Sequence, residues 1–131
     1  MTTFIMDFGD GTLSLGGTDH ICQVMSAVLA GSNTRQDITT GCGTTTRFIN
    51  ERFELQVRFV QDFRTGGISK YLWDHYNTDV AFVFSPAADN TPSVAGTLTC
   101  PRPKLGGDAG TPCIDDLTMP CVGTPTLTGD A

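Results

Sequence analysis

Phe53-Glu54-Leu55-Gln56-Val57-Arg58-Phe59 carries an apolar side chain at every second position. Successive side chains of a strand point to opposite faces, so Phe53, Leu55, Val57 and Phe59 face a core while Glu54, Gln56 and Arg58 face water or a partner. The alternation predicts a strand over Phe53–Gln61, in a sheet with two unlike faces. Downstream, Ile68, Leu72 and Tyr76 fall four apart, with Tyr71 and His75 on an adjoining stripe. That spacing predicts a helix over Ile68–Tyr76. A helix of two to three turns is too short to hold itself in water, so it must lie on the apolar face of the sheet. The run Val80–Phe84 alternates again and predicts the next strand, ending at Ser85.

Working outward, residues 1–11 end in the turn signal Asp10-Gly11 and are expected to form an N-terminal arm. Thr12–Leu15 is expected to be a short strand turning at Gly16-Gly17, and Ile21–Leu29 a longer one bounded by Gly31. From 31 to 50 the chain is rich in Thr, Asn and Gly, with only Ile38, Phe48 and Ile49 as sizeable apolar residues. So little core material over such a length predicts an extended loop or hairpin that reaches a partner. Toward the C-terminus we expect a loop over Pro86–Pro92 and a strand over Val94–Cys100, stopped by Pro101-Arg102-Pro103. A loop over Leu105–Pro112 then leads into a last strand, Asp115–Cys121, with Leu117, Met119 and Cys121 on one side. Strands dominate and no βαβ alternation recurs. The reading is one mainly β domain over 1–131, an antiparallel β-sandwich or barrel with one α-helix packed on its flank.

Composition narrows the function. The chain has 131 residues, 14 acidic against 8 basic side chains and a formal charge of −6. No Lys/Arg cluster exists, so the chain is not built to grip a phosphate backbone. An acidic wall suits DNA that must slide past without sticking. Five cysteines, an odd number, occur without a CxxC pair and without an N-terminal basic-then-apolar leader. We expect reduced, mostly buried thiols in a protein made in a cytosol. No apolar run reaches membrane-spanning length.

The chemical motifs dissolve on inspection. Asp7-Phe8-Gly9-Asp10-Gly11 lacks the partners of a kinase magnesium motif and the ligand pattern of a calcium loop, and reads as a turn. Gly106-Gly107-Asp108-Ala109-Gly110 lacks the Lys-Ser/Thr of a phosphate cradle and reads as a surface loop. His20 and His75 have no nucleophile or ligand set around them; His75 is expected at the polar edge of the helix. Asp115-Asp116 reads as a solvated turn before its strand, and Trp73 as core. No catalytic, cofactor-binding or metal-ligating residue is expected, and no enzyme.

The order of elements is more specific than any one of them. Leu55-Gln56-Val57-Arg58-Phe59-Val60-Gln61-Asp62-Phe63, then Ser69-Lys70-Tyr71-Leu72-Trp73-Asp74-His75, then Val80-Ala81-Phe82-Val83-Phe84-Ser85-Pro86 resembles the tail tube (major tail) proteins of long-tailed, siphovirus-like bacteriophages. Pro92-Ser93-Val94-Ala95-Gly96-Thr97-Leu98-Thr99, the Gly106-Gly107-Asp108 loop and Met119-Pro120-Cys121-Val122-Gly123-Thr124-Pro125-Thr126-Leu127 continue the resemblance, which covers Phe53 to Leu127. It implies a structural virion protein assembled in the host cytoplasm into the tail. Hexameric rings would stack into a tube around a tape-measure protein, meet tail terminator and tail tip proteins at the ends, and let double-stranded DNA pass without binding it.

In such a ring each subunit contributes about four strands to a shared barrel. Roughly two dozen strands about 4.8 Å apart and tilted near 40° give a diameter of about 45–50 Å, wide enough for a duplex once side chains are added. On this reading Glu54, Gln56, Thr97, Thr99, Asp116 and Thr118 are lumen candidates. Asn33, Arg35, Asp37, Thr44 and Arg47 are candidates for contacts between rings. The rivals are another virion part, a tail terminator or capsid decoration protein, and a secreted carbohydrate-binding β-sandwich. The last would want a row of exposed aromatics, whereas the one Trp and two Tyr all fall on the predicted helix.

Overall fold

The computed structural model describes residues 7–9, 11–87 and 92–128. Seven strands and one α-helix follow in the order β1 (Thr12–Leu15), β2 (Thr18–Asp19), β3 (Val24–Thr40), β4 (Gly43–Val60), α1 (Ile68–Asp74), β5 (Asp79–Ser85), β6 (Ser93–Thr99) and β7 (Ile114–Thr128). They form one antiparallel sheet of order β2-β1-β5-β6-β7-β4-β3. Leu13 and Leu15 of β1 share a buried cluster with Leu55, Val57 and Phe59 of β4, four places away in that order. The sheet therefore folds over on itself as a sandwich, closed around the apolar faces of its two halves.

The hinge of that fold is β7. Its first half, Ile114–Pro120, pairs with β4, and its second half, from Cys121, pairs with β6. Pro120 is the last partner of β4, opposite Glu54. A proline cannot donate to a ladder, so it sits where one ladder ends and the next begins. Beyond it, Gly123 has φ +72° and the β6 register slips between Ala95 and Thr97. The strand thus runs to Thr128, well past Cys121, the end expected from the sequence.

Helix α1 buries Ile68 and Leu72 against the strand core, as a lid on Phe59 and its neighbours. Polar ties fix its entry. The Ile68 N–H donates to Gln23 Oε1 at 2.8 Å, Gln23 Nε2 donates to Asp62 Oδ2 at 2.6 Å, and the Lys70 N–H donates to the Asp62 carbonyl at 3.1 Å. The helix ends at Asp74, two residues before the expected Tyr76. Asp62 is also gripped by Arg64, whose hydrogen bonds hold its carboxyl below the usual carboxylate range.

Four expectations are corrected. Ile21–Gln23 is a 3-10 turn, and the strand starts only at Val24. Trp73 is 43% exposed and lies outside the core, because Ile68, Ser69 and Leu72 form the helix face that meets the sheet. Asp115 is no solvated turn: it lies within β7, buried on the same face as Met119, and its Oδ2 accepts the Lys104 N–H at 2.7 Å. Of the cysteines only Cys100 is buried; Cys113 and Cys121 are half-buried, Cys22 and Cys42 are exposed, and all five are unpaired. Of the arm expected over 1–11, only residues 7–9 and 11 are described, and Gly9 bridges to Ala87 beside β5.

Candidate functional site

Two surfaces stand out, the outer face of the sheet and the arm made by β3 and β4. The outer face follows from the alternation of β4. Leu55, Val57 and Phe59 are buried, so Glu54, Gln56 and Arg58 point away from the core. Their partners extend the rows across the sheet: Val28, Gln56 and Thr118 form one, and Ser26, Arg58 and Asp116 the next. On β6, Thr97 and Thr99 flank buried Leu98 and point away from the core, on the layer opposite β4. Thr97 stands between Ala81 and Val122, and Thr99 donates through Oγ1 to Asp79 Oδ1 at 2.7 Å. All six lumen candidates thus point away from the core, but on two layers: Glu54, Gln56, Asp116 and Thr118 on the outer side of β4 and the first half of β7, and Thr97 and Thr99 on the outer side of β6, beyond the fold in β7.

The first of these layers also holds Arg58, which the alternation of β4 places there, and Val28, which the sequence did not single out. Arg58 lies in its middle, with Nε 3.9 Å from Asp116 Oδ1 and both side chains largely exposed. A pair so long and so exposed contributes little to stability and leaves both groups free to meet solvent ions. Val28 is 54% exposed beside them. Its strand begins with a 3-10 turn, and reading a strand from Ile21 obscured the alternation that would have placed Val28 outside.

The arm is the continuation of β3 and β4 beyond the sandwich, paired from Thr34↔Ile49 to Thr40↔Gly43. The stretch 31–50 is therefore a hairpin, closed by Gly41-Cys42, with Gly43 at φ +124° where a side chain would be strained. Paired residues share a face, which gives the arm two. One presents Arg35, Asp37, Thr39, Thr44, Thr46 and Phe48, and the other Gln36, Ile38, Thr45, Arg47 and Ile49. The first is laced by side chains: Arg35 Nε donates to Asp37 Oδ1 at 3.1 Å and Thr46 Oγ1 to the same oxygen at 2.7 Å. Thr39 and Thr44 hydroxyls meet at 3.2 Å. Cross-strand polar pairs of this kind stiffen a ribbon that no core supports. The inter-ring candidates Arg35, Asp37 and Thr44 fall on this face, Arg47 on the other, and Asn33 in the register shift between Ser32 and Thr34. Phe48 is 66% exposed, and the other described residues leave it uncovered.

Elsewhere the chemistry is sparse. His20 is buried, and neither ring nitrogen has a hydrogen-bond partner. Burial pushes its imidazole below the ordinary value against the pull of Asp19 and Asp62. His75 is half-buried, its Nδ1 2.9 Å from the Tyr71 carbonyl and its ring stacked on Tyr71. Among the described residues no three His, Cys, Asp or Glu side chains converge as a metal site would require. Among the described residues no helix is long and apolar enough to cross a membrane.

No protein-family model matches the chain, and no curated protein sequence matches it. Its fold is similar to that of a solved chain from the virion of a native gene transfer agent particle. The two share 13% identity at a TM-score of 0.66, over 92% of this chain and 96% of that one. A match that nearly exhausts both chains is a likeness of overall fold.

Proposed function

We propose that the chain is a structural virion protein, the subunit of a tail tube built from stacked hexameric rings. The observation that carries this reading is the β3–β4 arm, a polar, laced hairpin whose side chains the rest of the subunit leaves open. A free arm with an uncovered Phe48 is surface made for contact with other copies. The two-faced sheet supports it. Its core face is closed by α1, while β4 and the first half of β7 present Glu54, Gln56, Asp116 and Thr118 as a polar wall, and β6 turns Thr97 and Thr99 outward on the other layer. The fold shared with a gene transfer agent virion chain supports the wider class, a part of a phage-like particle.

In the assembled tube the polar wall lines the lumen, first around the tape-measure protein and then around the passing DNA. The long free edge of β3 and the short edge at β2 are the ring joints, where unpaired backbone groups find partners on the next subunit. The arm reaches the adjacent ring. Tail terminator and tail tip proteins close the ends, and assembly takes place in the host cytoplasm. Electron microscopy of purified protein tests the proposal. Hollow tubes with six-fold rings are expected; isolated rings would assign a terminator, trimers a decoration protein, and a lasting monomer would refute an assembly role.

A further inference from the structure

Arg102 occupies an unusual setting on the helix flank. Its Cζ lies 4.6 Å from the Trp73 ring centroid and 4.0 Å from that of Tyr76, and Trp73 in turn meets Phe63 edge-on at 6.2 Å. Pro101 and Pro103 bracket it, and Pro103 is buried, so the backbone that carries the guanidinium is pinned. Trp73 and Tyr76 remain 43% and 48% exposed. Among the described residues Arg102 makes no ion pair and donates no hydrogen bond, whereas Arg35, Arg58, Arg64 and Lys70 each have an acidic partner; Arg47, Arg52 and Lys104 also lack one, but of these cations only Arg102 is stacked on aromatic rings. The fork is held by its faces while its N–H edge stays unspent.

We propose that this Arg102–Trp73–Tyr76 cluster is an anchor for self-association, receiving a carboxylate from a second copy of the chain. Stacking fixes the guanidinium plane in advance, so a planar two-oxygen acceptor can bind both N–H groups with little loss of side-chain freedom. Trp, Tyr and Arg around one pinned point is also the composition of interface anchors. Charge decides the occupant. A chain of net charge −6 repels polyanions, and a lone guanidinium offers a phosphate backbone no cluster to hold. Copies of an acidic chain repel one another too, so they meet best where a cation stands unpaired. The chain's own surface supplies acceptors: Glu51 and Asp108 are exposed and have no cation within ion-pair distance among the described residues.

The inference rests on the proposed function only in taking copies of the chain to associate. Sedimentation velocity over a concentration series, with microscopy of the same samples, tests it. Arg102→Ala and Trp73→Ala should each raise the concentration for half-association about tenfold, the scale of one anchor residue. Arg102→Lys keeps the charge but not the fork, and should recover only part of the loss. Unfolding of the dilute chain should shift little, which separates an interface role from a structural one. Wild-type association in both Arg102 variants would overturn the proposal, as would a wild-type chain that stays monomeric. Tubes that form as well without Arg102 leave the tube reading intact and sink the anchor; Arg102-dependent oligomers that never stack do the reverse.

Discussion

His20 is 2% exposed, with both ring nitrogens unbonded, between the end of β2 and the 3-10 turn. Its folded-state pKa lies below the ordinary 6.5, chiefly because burial penalises the charged ring. The unfolded chain therefore takes up the proton first as pH falls, and stability is lost below about 6.5 rather than gained. Urea midpoints measured at pH 7.5 and 5.5 should show this drop, and His20→Leu should flatten it. An equal pH dependence in both proteins would place the titration elsewhere. The cysteines offer a second test at the same scale. Burial, with Asp79 nearby, pushes the Cys100 thiol up to about 11, and Cys121 is raised as well, first by burial and then by Glu54. The thiolate is the reactive form, so native protein at pH 8 should label first at exposed Cys22 and Cys42 and last at Cys100. Early modification of Cys100, read by mass spectrometry, would show that its strand opens readily.

Among the elements, α1 and β4 bear most on the core. Leu72 is fully buried, so Leu72→Ala should cost about 2–5 kcal/mol in a denaturation experiment; a loss under about 0.5 kcal/mol would mean that the helix does not pack as described. Val57→Pro should prevent folding, since Val57 pairs with both Ala27 and Leu117 in the middle of the sheet. Both positions were legible in the sequence because each carries a clean period, two for β4 and four for α1. Legibility failed where burial and residue type part company. Asp115 hid because a carboxylate is read as solvent-facing, yet its Oδ2 caps the Lys104 N–H of a loop that the strand face covers. Trp73 misled in the opposite sense, its ring serving a guanidinium outside the core. The arm showed itself by its lack of core material as an extended loop or hairpin; the choice between the two was not legible, since both of its faces are mostly polar and period two then leaves no trace. The continuation of β7 was hidden by Pro120, Gly123 and Pro125, breakers in isolation that here mark a change of partner.

At the scale of the whole molecule, the proposed tube makes separable demands on the outer face and on the arm. The outer side of β4 and β7 carries Glu54 and Asp116 but also Arg58, so its repulsion of DNA rests on a modest acidic excess. Glu54→Lys with Asp116→Lys should leave tubes intact, because neither side chain packs in the core, while making the lumen retain duplex DNA in a salt-dependent way. Unchanged passage would remove those two residues from the lumen wall. The arm makes the sharper demand. Deleting residues 33–46 leaves the Ser32↔Arg52 pair as the closing rung and residues 47–51 as a five-residue connection, within the usual length for a hairpin loop. Every residue of the buried cluster lies outside the deleted stretch, so the shortened chain should unfold cooperatively near the wild-type midpoint. What it loses is the laced hairpin and the contacts that hairpin would make with the next ring. Rings or short stubs should then replace long tubes under the microscope, at concentrations where the full chain polymerises. Long, regular tubes from the shortened protein would show that stacking runs through the sandwich itself, and the arm would need another partner.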